Sequence, residues 1–399
     1  MTLNKLIFTK LRGKTVAVLA SPGRILQIEA EPEKETERLG AIYIGKVRNI
    51  VKNLGAAFVE YQPGVNGYLS LSEWNGPRLL RVGDEIPIQV TRAAVKTKDA
   101  VLSTNLCLTG HYVVLTSQAG KLGISAKIRD GMWRTELKAQ WESRSPGDYG
   151  LIVRTNAYTA PFETIWEETD LLRKKLHKIH SDMECRTCYS TLYEPESFAI
   201  QTASNVRKSE IEEIVTDIPE IYEELRQSGL FSDSLSDVGL RLYSDKTYPL
   251  RALYHLETAL DRALSRQVWL KSGGYLVIDP TEAMTVIDVN TGKNVGKKTA
   301  SETYFNTNLE AASEIAAQLR LRNLSGIILV DFIDMEAKEQ NKELLSSFRK
   351  YLAADPVKTV LVDMTALGLV EITRKKIKRP LHEQFLTDFS EKTVDTRKT

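Results

Sequence analysis

Two aspartates close two apolar runs. Residues 284–290 read MTVIDVN and residues 326–334 read GIILVDFID, so Asp288 and Asp331 each end a stretch rich in the aliphatic residues of buried strands. A helical pattern lies between them. Strand, helix, strand is a right-handed crossover, and in most such units the two strands are parallel neighbours. Their C-terminal ends then lie side by side, at the edge where α/β proteins bind ligands. Two carboxylates that close repel each other unless a cation sits between them. Mg²⁺ is usually held this way, by one or two carboxylates with water and a substrate phosphate completing the shell. Asn290, two residues past Asp288 on the same strand face, is a neutral hydrogen-bonder able to orient Asp331 or a water, and Asp334 stands three residues beyond Asp331. The competing reading makes these acids turn residues or helix caps, the usual fate of one strand-end aspartate. Two at one edge, with Asn290, favour the metal. The pattern does not separate Mg²⁺ from Mn²⁺.

A second cluster stands apart. LHKIHSDMECRTCY holds His177, His180, Cys185 and Cys188, two of the five histidines and two of the three cysteines. The Cys-x-x-C spacing is that of a zinc knuckle, and two histidines three apart share a helix face, so four ligands for a structural Zn²⁺ are on offer. The alternative is an accidental cluster on a solvent-facing helix. Basic residues flank the two strands: Arg266 and Lys271 in RQVWLKSGG, and Arg374, Lys375, Lys376, Lys378 and Arg379 in TRKKIKR. A basic run ordinarily marks a solvated face; beside a catalytic sheet it can grip phosphates.

These residues must be positioned by a sizeable scaffold. The chain has 399 residues, 42% hydrophobic and 27% charged, with a formal net charge of +2. That length allows two to four domains, and nucleic-acid binding would rest on local patches, not overall charge. Three cysteines make no disulfide framework, the N-terminus lacks a signal-peptide pattern, and no run reaches the ~18 apolar residues of a membrane span. A reduced, cytoplasmic protein with no membrane partner is expected. Residues 3–8, 15–19 and ILQIEAE predict an opening meander, and five short strands between 41 and 105 predict a small barrel. HYVVLT, LGISAKI and GLIVRTNA read as strands, 132–144 and 161–181 as helices. Within 196–250, FAIQTA, IEEIVT and GLRLYS read as strands around a helical PEIYEELRQSG. GGYLVIDPTEAMTVIDVN is a hairpin. After the loop TGKNVGKKTASE, Thr307 and Glu310 form a capping-box pattern ahead of the stripe Leu309, Ala312, Ile315, Ala316, Leu319.

The barrel segment resembles an S1-type OB-fold, through GKVRNIV, GAAFVEY, GVNGYLSLSE and VGDEIPIQV in that order. Such folds stack bases on exposed aromatics and hold phosphates with Lys or Arg. Phe58 and Tyr68 on adjacent strands, with Lys46, Lys52 and Lys98, fit those roles; the plainer reading puts Phe58 in the barrel core.

TVIDVNTGK, FNTNLEAASEIAAQLRLRNLSGIILVDFIDM and LGLVEITRKK resemble the catalytic region of the ribonuclease E/G family, ungapped across 288–335, and IYIGKV, VLSTNL, LGISAKI, LIVRT and RQVWLKSGG follow in family order. The resemblance implies a Mg²⁺-dependent endoribonuclease cutting single-stranded, A/U-rich RNA in rRNA or mRNA processing or decay. It leaves 3′-hydroxyl and 5′-phosphate ends. Asp288 and Asp331 are then the metal ligands and Asn290 their partner, and Arg154 and Thr155 match the family's 5′-monophosphate sensor. It also implies a mixed α/β, α+β multidomain fold: an RNase H-like subdomain (1–38 and 196–262), an inserted S1/OB-fold domain (39–106), a 5′-sensor region (107–195) and a DNase I-like catalytic subdomain (263–385). The charged residues 386–399 are expected to form a disordered tail. Family members continue into a zinc link and a small domain. No cysteine follows Cys188, so the zinc-linked dimer is not expected and the oligomeric state does not carry over. The rivals are a non-catalytic RNA-binding protein of the same fold and a metal-dependent DNase or general phosphodiesterase.

Overall fold

The computed structural model describes residues 4–32, 39–74, 76, 78–92, 99–144, 147–206, 210–228, 238–245, 247–292, 300–335 and 337–386. Lys98, most of the loop after Asn290, and all of the expected tail except Leu386 lie outside these residues. The chain divides into two compact units, residues 1–31 with 209–399, and residues 32–208.

The first unit opens with an antiparallel meander, β1 (Asn4–Leu11), β2 (Lys14–Ser21) and β3 (Arg24–Ala30). In the second unit β4 (Ile42–Val51), β5 (Ala56–Gln62), β6 (Val65–Ser70), β7 (Glu85–Arg92) and β8 (Ala100–Ser103) run in the order β4-β5-β6-β8-β7. β7 pairs back onto β4, which closes a five-stranded barrel around Val47, Val59, Tyr61, Leu69, Ile88 and Leu102. Closure removes the free edges that so short a sheet would otherwise expose.

Next come β9 (Cys107–Thr109), β10 (Val113–Thr116), β11 (Leu122–Ile124), α1 (Gly131–Ser143), β12 (Gly150–Val153) and α2 (Phe162–Cys185). The strands form a sheet ordered β11-β12-β10-β9. The stripe Ile165, Leu172, Leu176 and Ile179 buries α2 in the core it shares with Val113, Leu115 and Leu151. β13 (Thr191–Tyr193) pairs with β4. FAIQTA, expected as a strand, is instead the start of α3 (Phe198–Asn205). The Ser197 side chain accepts from the Ile200 amide and caps the helix, and the buried Ala199, Thr202 and Ala203 have helical spacing.

Back in the first unit, β14 (Ile211–Thr216) lies parallel to β1. α4 (Pro219–Gln227) then leads to β15 (Gly239–Leu242), parallel to β14. Helices α5 (Leu250–Leu253) and α6 (Leu256–Leu264) pack their leucines on this five-stranded sheet.

A second sheet completes the unit: β16 (Gln267–Trp269), β17 (Tyr275–Pro280), β18 (Met284–Asn290), β19 (Gly326–Asp331), β20 (Thr359–Met364) and β21 (Val370–Arg374), ordered β16-β17-β18-β19-β21-β20. Only β18 and β19 run parallel in it. Between them comes α7 (Ala300–Leu321), and after them α8 (Lys338–Ala353); a short α9 (Leu381–Phe385) follows the sheet. Ala312, Ile315 and Leu319 of α7 and Leu344, Phe348 and Leu352 of α8 pack against Leu276, Ile278, Ile287, Ile328 and Ile372 on one face of the sheet. The alternate strand residues point the other way. Because α7 starts at Ala300, Thr307 and Glu310 lie inside it and form no capping box.

Candidate active site

Asp288 and Asp331 are register partners across the parallel pair β18–β19. Direct partners share a face, and both aspartates are exposed on the face opposite the two helices. Asn290 points to that face as well. Its Nδ2 donates to Asp288 Oδ2 at 2.7 Å, so it orients Asp288, not Asp331. Burial pushes the Asp331 carboxyl above its ordinary range, and the negative charges of Asp288 and Asp334 push the same way. Like charges gathered at one strand end disfavour full ionisation unless a cation lies between them. Among the described residues no group of three or more His, Cys, Asp or Glu is arranged to hold a metal. The site therefore offers a hard cation a pair of carboxylates, which suits an ion that keeps most of its waters.

Three further residues support the surrounding turns; of these the sequence marked only Glu310, and as a helix cap. Asn308 is fully buried in α7; its Nδ2 donates to the Ile333 carbonyl at 2.8 Å and its Oδ1 accepts from the Ile333 amide at 3.1 Å. That two-way clamp fixes the turn between Asp331 and Asp334. Glu310 accepts from the amides of Lys271 (2.6 Å) and Ser272 (3.2 Å), which sets the turn between β16 and β17. Gly274 lies against β18: a Cβ there would meet the Asn290 carbonyl at 2.7 Å, so only glycine fits. A polar residue inside the apolar stripe of α7 was the one available signal for Asn308.

The flanking basic residues part company. Lys271, Lys375 and Lys376 are exposed. Arg266 is bound by both its Nε and Nη2 to the Asp279 carboxylate. Arg374 is corrected outright: its side chain is 2% exposed and pairs with Asp355 at 2.7 Å, and its Nη1 donates to Asn323 Oδ1 and the Leu324 carbonyl. The alternation of β21 turns it inward, so it contacts no solvent ligand.

In the second unit Phe58 and Tyr68 are direct partners on β5 and β6, with ring centroids 6.3 Å apart. Both are half-buried on the outer barrel face, while Ala57, Val59 and Leu69 point inward; the core reading of Phe58 does not hold. Arg154 donates to the Gly110 carbonyl at 2.5 Å and to Asn205 Oδ1 at 2.6 Å, whereas Thr155 bonds Ser125 at 2.9 Å. The two have different partners. The four zinc candidates are not brought together. His177 bonds Asp148 at 2.9 Å, Cys188 lies against the Ile44 carbonyl, and Cys185 is exposed at the end of α2. A continuous helix through Cys185 sets it about 12 Å along the axis from His177, which rules out one tetrahedral site.

The model of the Ribonuclease E/G family matches residues 107–377, and that of the S1 RNA binding domain matches residues 37–105. The chain belongs to the ribonuclease E/G family. It is 33% identical over 381 residues to Ribonuclease G of Escherichia coli strain K12, covering 90% of this chain and 77% of that protein. Ribonuclease G of Haemophilus influenzae is 32% identical over 403 residues, covering 96% and 82%. Ribonuclease E of Nostoc sp. is 34% identical over 362 residues, or 87% of this chain; the chain spans 52% of that relative's length. Membership of the ribonuclease E/G family supports an endoribonuclease acting on RNA. Among the described residues no helix is long and apolar enough to cross a membrane.

Proposed function

We propose that the chain is a cytoplasmic, Mg²⁺-dependent endoribonuclease that hydrolyses single-stranded, A/U-rich RNA in rRNA or mRNA processing or decay. Asp288 and Asp331 hold the cation; Mn²⁺ would fit the same oxygen donors. The observation that carries the reading is the register pairing of these two aspartates on an open sheet face, with Asn290 bonded to Asp288. A cation bound there would polarise the scissile phosphate and lower the pKa of a bound water. The chain's own part is to fix geometry. Asn290 holds one carboxylate rotamer, Asn308 holds the turn after the other, and Lys271 and Lys375 offer exposed charge to flanking phosphates.

The sheet that opens the first unit is RNase H-like and the sheet carrying Asp288 and Asp331 is DNase I-like, and Phe58 and Tyr68 of the S1 barrel stack bases. Lys98, outside the described residues, would serve the RNA backbone. Arg154 and Thr155 read a 5′-monophosphate, the guanidinium and hydroxyl suiting a terminal dianion.

The test is cleavage of a 5′-monophosphorylated single-stranded oligonucleotide with Mg²⁺ or with EDTA, by the parent and by Asp288→Asn and Asp331→Asn. Cleavage by the parent with Mg²⁺ alone, and none by either variant, is expected, with RNA affinity in EDTA unchanged. A variant that cuts at the parent rate overturns the site.

A further inference from the structure

We propose that Trp269 and Tyr275 form a stacking platform for an RNA nucleobase beside the phosphate held at Asp288 and Asp331; this rests on the nuclease reading of that site. Trp269 is 66% exposed on the edge strand β16. An indole left in water gives up the large burial gain its ring would otherwise supply. It is not loose, however: its ring lies 5.3 Å from that of Tyr275, tilted by 57°. The two are register partners, and Tyr275 is in turn the partner of Asn290. One row along the strands, Val277, Asp288 and Asp331 are partners. Partners share a face, so the aromatic pair and the two carboxylates project from the same open face. Trp269 stands two strand spacings, about 10 Å, from β18.

The turn joining the two aromatic strands is built to hold this relation. Glu310 accepts from the amides of Lys271 and Ser272, the Leu270 amide donates to the Gly274 carbonyl at 2.8 Å, and Gly274 packs on the Asn290 carbonyl. Platform and Asn290 thus move as one body. Lys271, two residues past Trp269 in the same turn, is exposed and carries a cation. An aromatic face with a neighbouring cation, beside a phosphate site, is the chemistry that grips one nucleotide of a single strand, and it tolerates any base because every base has a π-face. The occupant is therefore a base of the scissile strand, and Trp269 is a substrate-binding residue whose stack contributes equally before and during cleavage.

The experiment uses the full chain, Trp269→Ala and Trp269→Phe, with 5′-monophosphorylated single strands carrying one abasic site stepped along the sequence. Trp269→Ala should raise KM, and Kd in EDTA, about five- to a hundredfold with kcat nearly unchanged, and Trp269→Phe should restore most of the loss. One abasic position should cost the parent the same factor and cost Trp269→Ala nothing more. Unchanged affinity in Trp269→Ala, or equal abasic penalties in parent and variant at every position, overturns the platform. So does a change of sedimentation without a change of affinity, which would mean a second copy of the chain covers the indole. If the parent cuts no RNA, the nuclease reading fails by itself; the EDTA binding arm, and quenching of intrinsic fluorescence on RNA binding that the parent shows and Trp269→Ala lacks, still decide the platform.

Discussion

Arg374→Ala should damage stability and leave RNA contacts untouched. The side chain is 2% exposed and that of Asp355 4%, with Nε–Oδ2 at 2.7 Å and Nη2–Oδ1 at 3.4 Å. Removing the guanidinium takes the counter-charge from a buried carboxylate that keeps its bonds from the Val357 amide and the Thr359 hydroxyl, a loss of about 3–5 kcal/mol. It also strips donors from Asn323 Oδ1 and the Leu324 carbonyl, where α7 turns into β19. Against a total stability of about 5–15 kcal/mol the fall is severe. At about 2–4 °C per kcal/mol for a unit of this size, the melting transition of the unit that carries it should drop by about 6–20 °C. Arg374→Met with Asp355→Leu should recover much of it, since apolar replacement of a buried pair is often neutral or better. Calorimetry on the three proteins measures this, with filter binding to single-stranded RNA across a salt series alongside. A normally stable Arg374→Ala whose salt dependence flattens by about one phosphate contact would refute the reasoning and return Arg374 to the RNA.

Phe58→Ala and Tyr68→Ala should each weaken single-strand binding by about 1–3 kcal/mol, read by titration in EDTA; folded variants of unaltered affinity would make the pair mere barrel covering. Glu60 is held at a pKa of about 2, below its ordinary 4.5, by bonds from Tyr189, the Gly64 amide and Arg48. Its contribution is thus present above about pH 4.5 and lost as pH falls toward 2, so the melting difference between parent and Glu60→Gln should shrink over that window; a difference independent of pH there would refute it. Arg154→Ala should cut the advantage of 5′-monophosphate over 5′-hydroxyl RNA about ten- to a hundredfold, the worth of charge-assisted bonds. Equal loss on both substrates would assign the arginine only to its bonds with Gly110 and Asn205.

What could be read in advance was whatever repeats with a period. The alternation MTVIDVN and the run GIILVD, separated by a helical stripe, were enough to place Asp288 near Asp331, because the crossover makes the strands neighbours and their buried faces restrict the register. The barrel was legible from turn residues between short alternating strands. Short mixed runs were not: FAIQTA alternates over six residues and satisfies a helix as well, and a cap at Ser197 decided it. The start of α7 was misplaced because Thr307 and Glu310 mimic a cap seven residues inside the helix. Arg374 was misread because a basic run says nothing of which member its strand turns inward.

The residues that set the site's geometry were hidden for a different reason. Asn308 and Glu310 act on backbone amides and carbonyls of Ile333, Lys271 and Ser272. A backbone group carries no letter of its own, so no pairing of residue types betrays the contact. These contacts hold the turns next to the paired strands, since a strand end otherwise frays into its loop. Asn308 presents both a donor and an acceptor to one peptide unit, which aspartate and leucine, the substitutions of nearest shape, cannot do. Its full burial makes either replacement costly, because Ile333 would lose a partner without gaining water. The two acids can thus be read from their strands, and paired strands set their spacing, but the turns around them are held from the helix beneath.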